Sequence, residues 1–310
     1  MSSTPDIHDP DTPSAAVAVL TGAGAGAGGR RIRGIGAIIR SSRTIQAGLL
    51  IVLTLLGLGL LAPFLTPYSP TQIDLANALR PPSPAHLIGT DELGRDQLTR
   101  LLYGARVSMV MGFIGVLIAA SVGAAIGLIA GYFAGIVDDA VMRVMDAILA
   151  FPALLLALLV VSVVGPGLVQ VLIAFGIAGI PFYARLMRTM VLSLRTREYV
   201  AAAEALGASP LRIIFLHILP NAMAPLIITT TLAMGLVMVG IASLGFIGLG
   251  AQPPTPEWGA MLSGSQSRFF TAPWLLLSPG LAIVLAVVGY SLVGDGLRDA
   301  LDPRLRYLRV

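Results

Sequence analysis

Long stretches without a charged residue dominate the chain. Five windows of 26 to 44 residues contain no Asp, Glu, Lys or Arg, and together they make up 169 of the 310 residues. The windows are residues 44–73, 107–137, 147–184, 213–256 and 269–294. A helix needs about 20 apolar residues to cross a bilayer, so each window is long enough for at least one span. Backbone groups in lipid must be paired within their own segment, which favours helices over open strands.

These windows predict six transmembrane helices. The third window is interrupted by a Gly-Pro-Gly sequence at residues 165–167, which breaks a helix and favours a turn, so we divide it into two spans. The fourth window holds one span, because Pro220 and Pro225 interrupt its start. The predicted spans are 45–65, 106–132, 138–164, 168–190, 225–249 and 274–297. The expected fold class is an all-α polytopic membrane protein.

The distribution of Arg predicts the orientation in the membrane. With a cytoplasmic N-terminus, the inner segments hold 15 Arg and the outer segments hold five. Basic residues favour the cytoplasmic side, so both termini and the loop 195–221 are expected there, and the loop 66–105 is expected outside. The location is then the plasma (inner) membrane, with 44–302 as the membrane domain in contact with lipids.

The two ends of the chain differ from this domain in composition. Residues 1–29 are rich in Pro, Ser, Ala and Gly and predict a disordered tail. Residues 30–43 alternate Arg with Ile and Gly and predict a segment that lies flat at the inner interface. Residues 303–310 are expected to form a cytoplasmic C-terminal tail.

Missing residue types exclude several kinds of chemistry. The chain has no Cys, and all 20 basic residues are Arg. Disulfides and thiolate metal sites are therefore excluded, and so is an ATPase site that needs a P-loop Lys. The three His are scattered along the sequence, so no metal cluster is indicated. No basic stripe lies on a soluble face, so nucleic acid is not an expected partner.

The most organised polar stretch is residues 195–221. Good helix formers fill Glu198–Leu206, and Gly207 suits the left-handed position that ends a helix. Ser209 and the Pro after it predict the start of a second helix, which is expected to end at Pro220. Its predicted apolar face consists of Leu211, Ile214, Phe215 and Ile218. Two interpretations stay open, an interfacial hinge and a docking element for a cytoplasmic partner.

This stretch resembles the EAA loop of the permease subunits of ABC importers. Within that family, Tyr199–Ser209 and His217–Asn221 are similar to strings of the peptide and nickel branch. Ala201 stands where the family has Glu, and His217 stands where it has Ile. The positions identified with the ATPase-coupling loop are Glu198, Tyr199, Ala202, Ala203, Glu204, Gly207, Ala208, Ser209, Leu219 and Pro220.

Two further strings carry the same resemblance. Residues 86–109 resemble the GTDxxGRDxxSRxxYGARxS block of dipeptide and oligopeptide permeases of the C-subunit type, and residues 245–261 resemble their segment before the last span. The resemblance covers about residues 40–310. It implies a type I ABC importer permease that translocates di- or oligopeptides by alternating access. Nickel, glutathione and haem importers share this permease type, so they stay open as alternatives.

The resemblance also implies a set of partners. They are a homologous second permease, two ABC ATPase subunits and an extracytoplasmic peptide-binding protein. ATP and Mg²⁺ would be bound by the ATPase subunits, so this chain is expected to hold no cofactor and to be a transporter subunit, not an enzyme. Substrate-lining residues are not identified by the sequence.

In the outer segment, a second set of residues predicts a local turn. Its members are Gly89, Thr90, Asp91, Gly94, Arg95 and Asp96. We expect the carboxylates to accept backbone N–H groups and Arg95 to pair with them. This turn either caps the spans or contacts the binding protein. Trp258, which follows a Pro-rich segment, is interpreted as an anchor at the membrane interface or as part of an outer gate.

Charged residues also mark the start of the third span. Arg143 lies four residues after Asp139 and three before Asp146, so the sequence predicts pairing along one helix. Paired charges at the membrane edge and an ion relay are both open interpretations. A stand-alone ion-coupled transporter is the alternative function, although such carriers usually need an acid mid-membrane and none is predicted there. An intramembrane enzyme would need an acid, base or nucleophile pair, which the spans do not show.

Overall fold

The computed structural model describes residues 42–301, which form helices joined by shorter segments. The helices are α1 (Arg43–Leu65), α2 (Gln97–Phe133), α3 (Gly135–Leu149), α4 (Ala153–Val164), α5 (Leu168–Arg195), α6 (Glu198–Ala205), α7 (Pro210–Phe246), α8 (Trp258–Ser263) and α9 (Trp274–Leu301). Residues 42–301 contain no strand beyond an isolated bridge between Thr90 and Asp96. The predicted tails 1–29 and 303–310, and most of the predicted interfacial segment 30–43, lie outside the described residues.

Five of these helices are long and apolar enough to cross a membrane. They are α1, α2, α5, α7 and α9. The helices α3 and α4 meet this condition only as a pair, and the pair is bent by 86°. The predicted span 138–164 is therefore two helices with a bend between them, and the bundle has six spans if this pair counts as one. Pro152 at the junction explains the bend, because it has no N–H to donate and disfavours helical geometry in the residue before it.

Two other helices begin earlier than predicted. The helix α2 starts at Gln97 because Asp96 caps it by accepting the Thr99 N–H at 2.8 Å. The helix α7 starts at Pro210, so the prediction that Pro220 ends a short helix is wrong. A π-helical turn at Ile213–Ile218 precedes this Pro. The wider turn changes the hydrogen-bond register, so the missing N–H of Pro220 does not end the helix.

The helices α2 and α5 pack with their backbones in contact. Gly123, Gly127 and Gly131 lie on one face of α2, at intervals of four residues. A Cβ atom on Gly127 would lie 2.1 Å from the carbonyl oxygen of Ala184, and one on Gly123 would lie 2.5 Å from that of Ile180. Small residues at such spacing allow close helix association in membranes, where burial from water gives no driving force.

Ion pairs at the far end of α5 join it to its neighbours. The Asp138 carboxylate on α3 accepts two hydrogen bonds from Arg188, and Asp146 pairs with Arg185. These Arg residues belong to α5, so the predicted pairing of Arg143 within α3 is wrong. Arg195 also donates to the carbonyl oxygen of Tyr132 at the end of α2, at 2.7 Å. The end of α5 is therefore fixed to both α2 and α3.

The bundle has two distinct ends. At one end lies α6, directly after α5, and we name it the α6 end. At the other end, residues 66–96 contact the segment before α9, since Trp274 donates its indole N–H to the Thr90 carbonyl at 3.2 Å. The short helix α8 lies at the same end, which we name the α8 end.

Candidate functional site

The element of residues 198–220 folds as a helix, a Gly turn and the start of α7. Gly207 has φ +80°, and the Ala208 N–H donates to the Ala203 carbonyl at 3.0 Å, which closes the end of α6. Ser209 caps α7 by accepting the Arg212 N–H at 3.4 Å, and Pro210 is in the first turn. The predicted helix–Gly–helix arrangement is confirmed.

One face of this 198–220 element is buried in the bundle. Val200, Ile213 and Ile218 are at most 1% exposed. They pack in a cluster that includes Met187 and Val191 of α5. Burial of such a side chain stabilises the folded state by about 1.5–3 kcal/mol. The 198–220 element is thus firmly attached to α5.

The opposite face of the 198–220 element is apolar and exposed. Leu206 is 89% exposed, Leu211 is 66% exposed and Phe215 is 57% exposed. The predicted apolar face of the second helix is therefore only half correct. Of its members, Ile214 is buried with the core, while Leu211 and Phe215 point away. Ile214, Phe215 and Ile218 all lie in the π-helical turn, which takes more residues per turn than an α-helix, so Ile214 and Ile218 share a face that Leu211 and Phe215 do not.

None of the ten residues identified with the coupling loop is buried. Ala203, Ala208 and Leu219 are half-buried, and the other seven are exposed. The exposed charges at this end include Glu198, Glu204 and Arg212, which form no ion pair within residues 42–301. An exposed apolar face beside unpaired charges is suited to bind another protein.

At the α8 end, the predicted turn is present. Asp91 Oδ1 accepts the N–H groups of Leu93 and Arg95, each at 2.9 Å, and its Oδ2 accepts from Arg95 Nε at 2.7 Å. The predicted pairing of Arg95 is confirmed. Gly89 and Gly94 have φ of +81° and +72°, which only Gly adopts easily. Thr90 and Asp96 are also buried in the turn.

Trp258 lies inside the protein. It is 1% exposed, and its indole N–H donates to the Leu101 carbonyl at 3.0 Å. An anchor at the membrane interface would expose its ring to lipid headgroups, so that interpretation of Trp258 is wrong. Its position joins α8 to α2.

The residue before it, Glu257, escaped the sequence analysis. Its carboxylate is 1% exposed and accepts from the N–H groups of Gly259 and Ala260, both at 2.8 Å, and from Ser108 Oγ at 3.1 Å. Burial raises the pKa of Glu257, and these three hydrogen bonds oppose the shift. Its position directly before a helix was the only available signal. Across residues 42–301, no group of three His, Asp or Glu is placed to hold a metal ion.

The sequence matches two family descriptions. Residues 123–307 match "Binding-protein-dependent transport system inner membrane component", and residues 37–82 match "N-terminal TM domain of oligopeptide transport permease C". The chain belongs to this permease family. Family members are permease subunits of ABC importers, so this chain is a multi-pass transport subunit that works with ATPase and other permease subunits, and ATP is hydrolysed by a separate chain.

Curated relatives cover most of the permease. The dipeptide transport system permease protein DppC of Alkalihalophilus pseudofirmus is 45% identical over 268 residues, covering 86% of this chain and 88% of the relative. DppC of Haemophilus influenzae is 42% identical, with 86% and 92% covered. The glutathione transport system permease protein GsiD of Pectobacterium atrosepticum is 41% identical, with 86% and 89% covered.

A solved structure shares the fold. The inward-facing MetNI methionine ABC transporter matches with a TM-score of 0.53 and 20% identity, over 65% of this chain and 96% of that one. The chain therefore has the type I ABC importer permease fold, as expected. The comparisons do not favour a stand-alone ion-coupled transporter or an intramembrane enzyme.

Proposed function

We propose that this permease forms half of the membrane pathway of an importer for short peptides. A homologous permease would supply the other half, two ATPase subunits would bind ATP and Mg²⁺, and an extracytoplasmic binding protein would deliver the substrate. The names of DppC relatives refer to dipeptides, and that of GsiD refers to glutathione, itself a short peptide. This agreement among relatives supports a peptide over nickel or haem.

The ATPases would dock on the 198–220 element. The observation that carries this assignment is the two-sided burial of the 198–220 element, with Val200 fully buried and Leu206 89% exposed. A protein that binds the exposed face can transmit force to α5 through the buried one. Ala201 has no carboxylate to offer an ATPase. The contact would therefore be formed by the exposed apolar side chains together with Glu198 and Glu204.

The predicted orientation in the membrane assigns each end of the bundle to one partner. With both termini cytoplasmic, the α6 end faces the ATPases and the α8 end faces the binding protein. ATP-driven closure of the ATPases would move the 198–220 element with α5 and change the pathway from inward-open to outward-open, and hydrolysis would reverse it. A ligand shifts such an equilibrium only if it binds the two states unequally, so ATP and the loaded binding protein must each favour one state.

The substitution Gly207→Val tests the coupling role. A Cβ at Gly207 meets no atom within 4 Å, so Val fits sterically, but φ +80° is unfavourable for it. A left-handed conformation costs a non-Gly residue about 1–2 kcal/mol, and a β-branched residue more. In the reconstituted complex, we expect peptide-stimulated ATPase activity and uptake to fall together, because the turn between α6 and α7 would rearrange.

The matched control is Gly57→Val. Gly57 also has no atom within 4 Å of a built Cβ, but it lies inside α1 with ordinary helical geometry. This variant should retain uptake. If Gly207→Val assembles normally and couples ATP hydrolysis to uptake like the wild type, the turn does not transmit the force.

A further inference from the structure

A cavity at the α8 end is lined by two Arg residues. Its volume is about 380 Å³, which is within the range of small-molecule sites. Arg95, in the turn before α2, and Arg100, in its first turn, both line it. The lining also includes small residues near the end of α7 and on α8, together with the polar residues Gln252, Thr255 and Ser263.

Both charged residues that line the cavity are Arg. Arg95 and Arg100 share a single carboxylate, that of Asp91, whose Oδ2 lies 2.7 Å from Arg95 Nε and 3.4 Å from Arg100 Nε. Asp91 and Glu92 line an adjoining cavity that shares both Arg with this one, and Glu92 pairs with Arg268 at 3.0 Å. Among the described residues, no Asp or Glu lines the 380 Å³ cavity. An anion in this cavity would therefore face two Arg side chains and no lining carboxylate.

The two guanidinium groups keep spare donors. Each has five N–H bonds. Arg95 uses Nε for Asp91, and Arg100 donates from Nη1 to the Pro70 carbonyl at 3.0 Å. Within residues 42–301, the Nη groups of Arg95 and Nη2 of Arg100 have no hydrogen-bond acceptor. Arg100 is only 7% exposed and is held by these contacts, so the donors are preorganised for a carboxylate.

The polar residues of the lining offer acceptors. Gln252 donates its Nε2 to the carbonyls of Gly248 and Gly250, each at 3.1 Å, which leaves its amide oxygen available. The hydroxyl groups of Thr255 and Ser263 form no hydrogen bond within the described part of the chain. These groups suit the N–H groups of an amide or an ammonium, which a peptide carries a few atoms from its carboxylate.

We propose that this cavity binds the C-terminal carboxylate of a short peptide through Arg95 and Arg100. The inference rests on the proposed function and places a substrate contact at the face where the peptide arrives. The two Arg side chains that line the cavity make it unsuited to a bare metal cation. A free carboxyl terminus is therefore a feature that the permease itself recognises.

Direct binding tests this inference. The assembled permease–ATPase complex in lipid nanodiscs, without binding protein or nucleotide, is titrated with L-alanyl-L-alanine and with its C-terminal amide by calorimetry. The amide lacks the negative charge, so we expect its binding to be weaker by about tenfold or more, as for the loss of a charge-assisted hydrogen bond. Thr255→Glu would place a competing carboxylate beside the Arg side chains and should weaken dipeptide binding to a similar extent.

The matched control is Thr271→Glu. Thr271 is exposed and lies outside the cavity, so the same added charge should leave dipeptide binding unchanged. Equal binding of the dipeptide and its amide, or wild-type binding in Thr255→Glu, would overturn the inference. It would also be overturned if Thr255→Glu weakened only the docking of the binding protein, since an acidic side chain of that protein would then be the ligand.

ATP-driven uptake separates this inference from the proposed function. The same preparations, supplied with binding protein and ATP, are assayed for dipeptide uptake. Uptake without direct binding in the nanodisc assay would overturn the carboxylate site and leave the proposed function intact. Absence of uptake for every peptide would count against the proposed function itself.

Discussion

The contact between α2 and α5 leads to a strong quantitative prediction for Gly127→Ala. The added Cβ would lie 2.1 Å from the Ala184 carbonyl oxygen, whereas ordinary contacts begin at 3.4 Å, so the helices must separate by about 1.3 Å there. Overpacking costs about 1–3 kcal/mol, and the upper value applies because the obstacle is backbone. The expected loss is therefore about 3 kcal/mol.

The assay is the thermal stability of the assembled complex in detergent, followed by size-exclusion chromatography of heated samples. For domains of 150–250 residues, 1 kcal/mol shifts Tm by about 2–4 °C, so we expect Gly127→Ala to lower it by about 6–12 °C. Because α5 carries α6, uptake should fall as well.

Gly57→Ala is the control with identical chemistry. A Cβ at Gly57 meets nothing within 4 Å, and Ala is a better helix former than Gly by about 1 kcal/mol, so stability should be unchanged or slightly higher. If Gly127→Ala has the same Tm as Gly57→Ala and the wild type, the backbone contact between α2 and α5 does not determine the stability of the bundle.

Two further predictions concern charged groups. Since burial raises the pKa of Glu257, the folded protein holds a proton that the unfolded chain releases above about 4.5. The free energy of unfolding of the protein should therefore fall as the pH rises above 4.5, and Glu257→Gln should remove this pH dependence. The same pH dependence in the variant and the wild type would contradict the raised pKa of Glu257. Arg188→Met leaves Asp138 buried without its partner and should cost about 3 kcal/mol, most of which Asp138→Asn should recover in the double variant. Arg185→Met breaks a pair that is more than half exposed and should cost at most about 1 kcal/mol, and equal losses in the two single variants would refute this ranking.

Local signals in the sequence predicted local structure well. The left-handed Gly207, the cap at Ser209 and the turn around Asp91 each depend on residues within a few positions of one another. Such features are encoded by backbone geometry and short-range hydrogen bonds, so they need no knowledge of the tertiary structure. The apolar windows likewise located the long helices, because the bilayer imposes their length.

Features that depend on distant residues were missed. Asp138 pairs with a residue 50 positions away, and Glu257 with a hydroxyl 149 positions away. The spacing of Gly123, Gly127 and Gly131 was visible in the sequence, but a count of apolar residues does not distinguish Gly that packs from Gly that does not. Pro152 was visible too, and the uninterrupted apolarity on both of its sides concealed the bend.

The bend between α3 and α4 has a consequence for the surrounding bilayer. With 12 residues, α4 is about 18 Å long, well short of the roughly 30 Å hydrocarbon core. Its neighbour α5 has 28 residues and reaches about 42 Å. The bilayer beside the bent pair must therefore become thinner, or its lipids must cover α3 from the side.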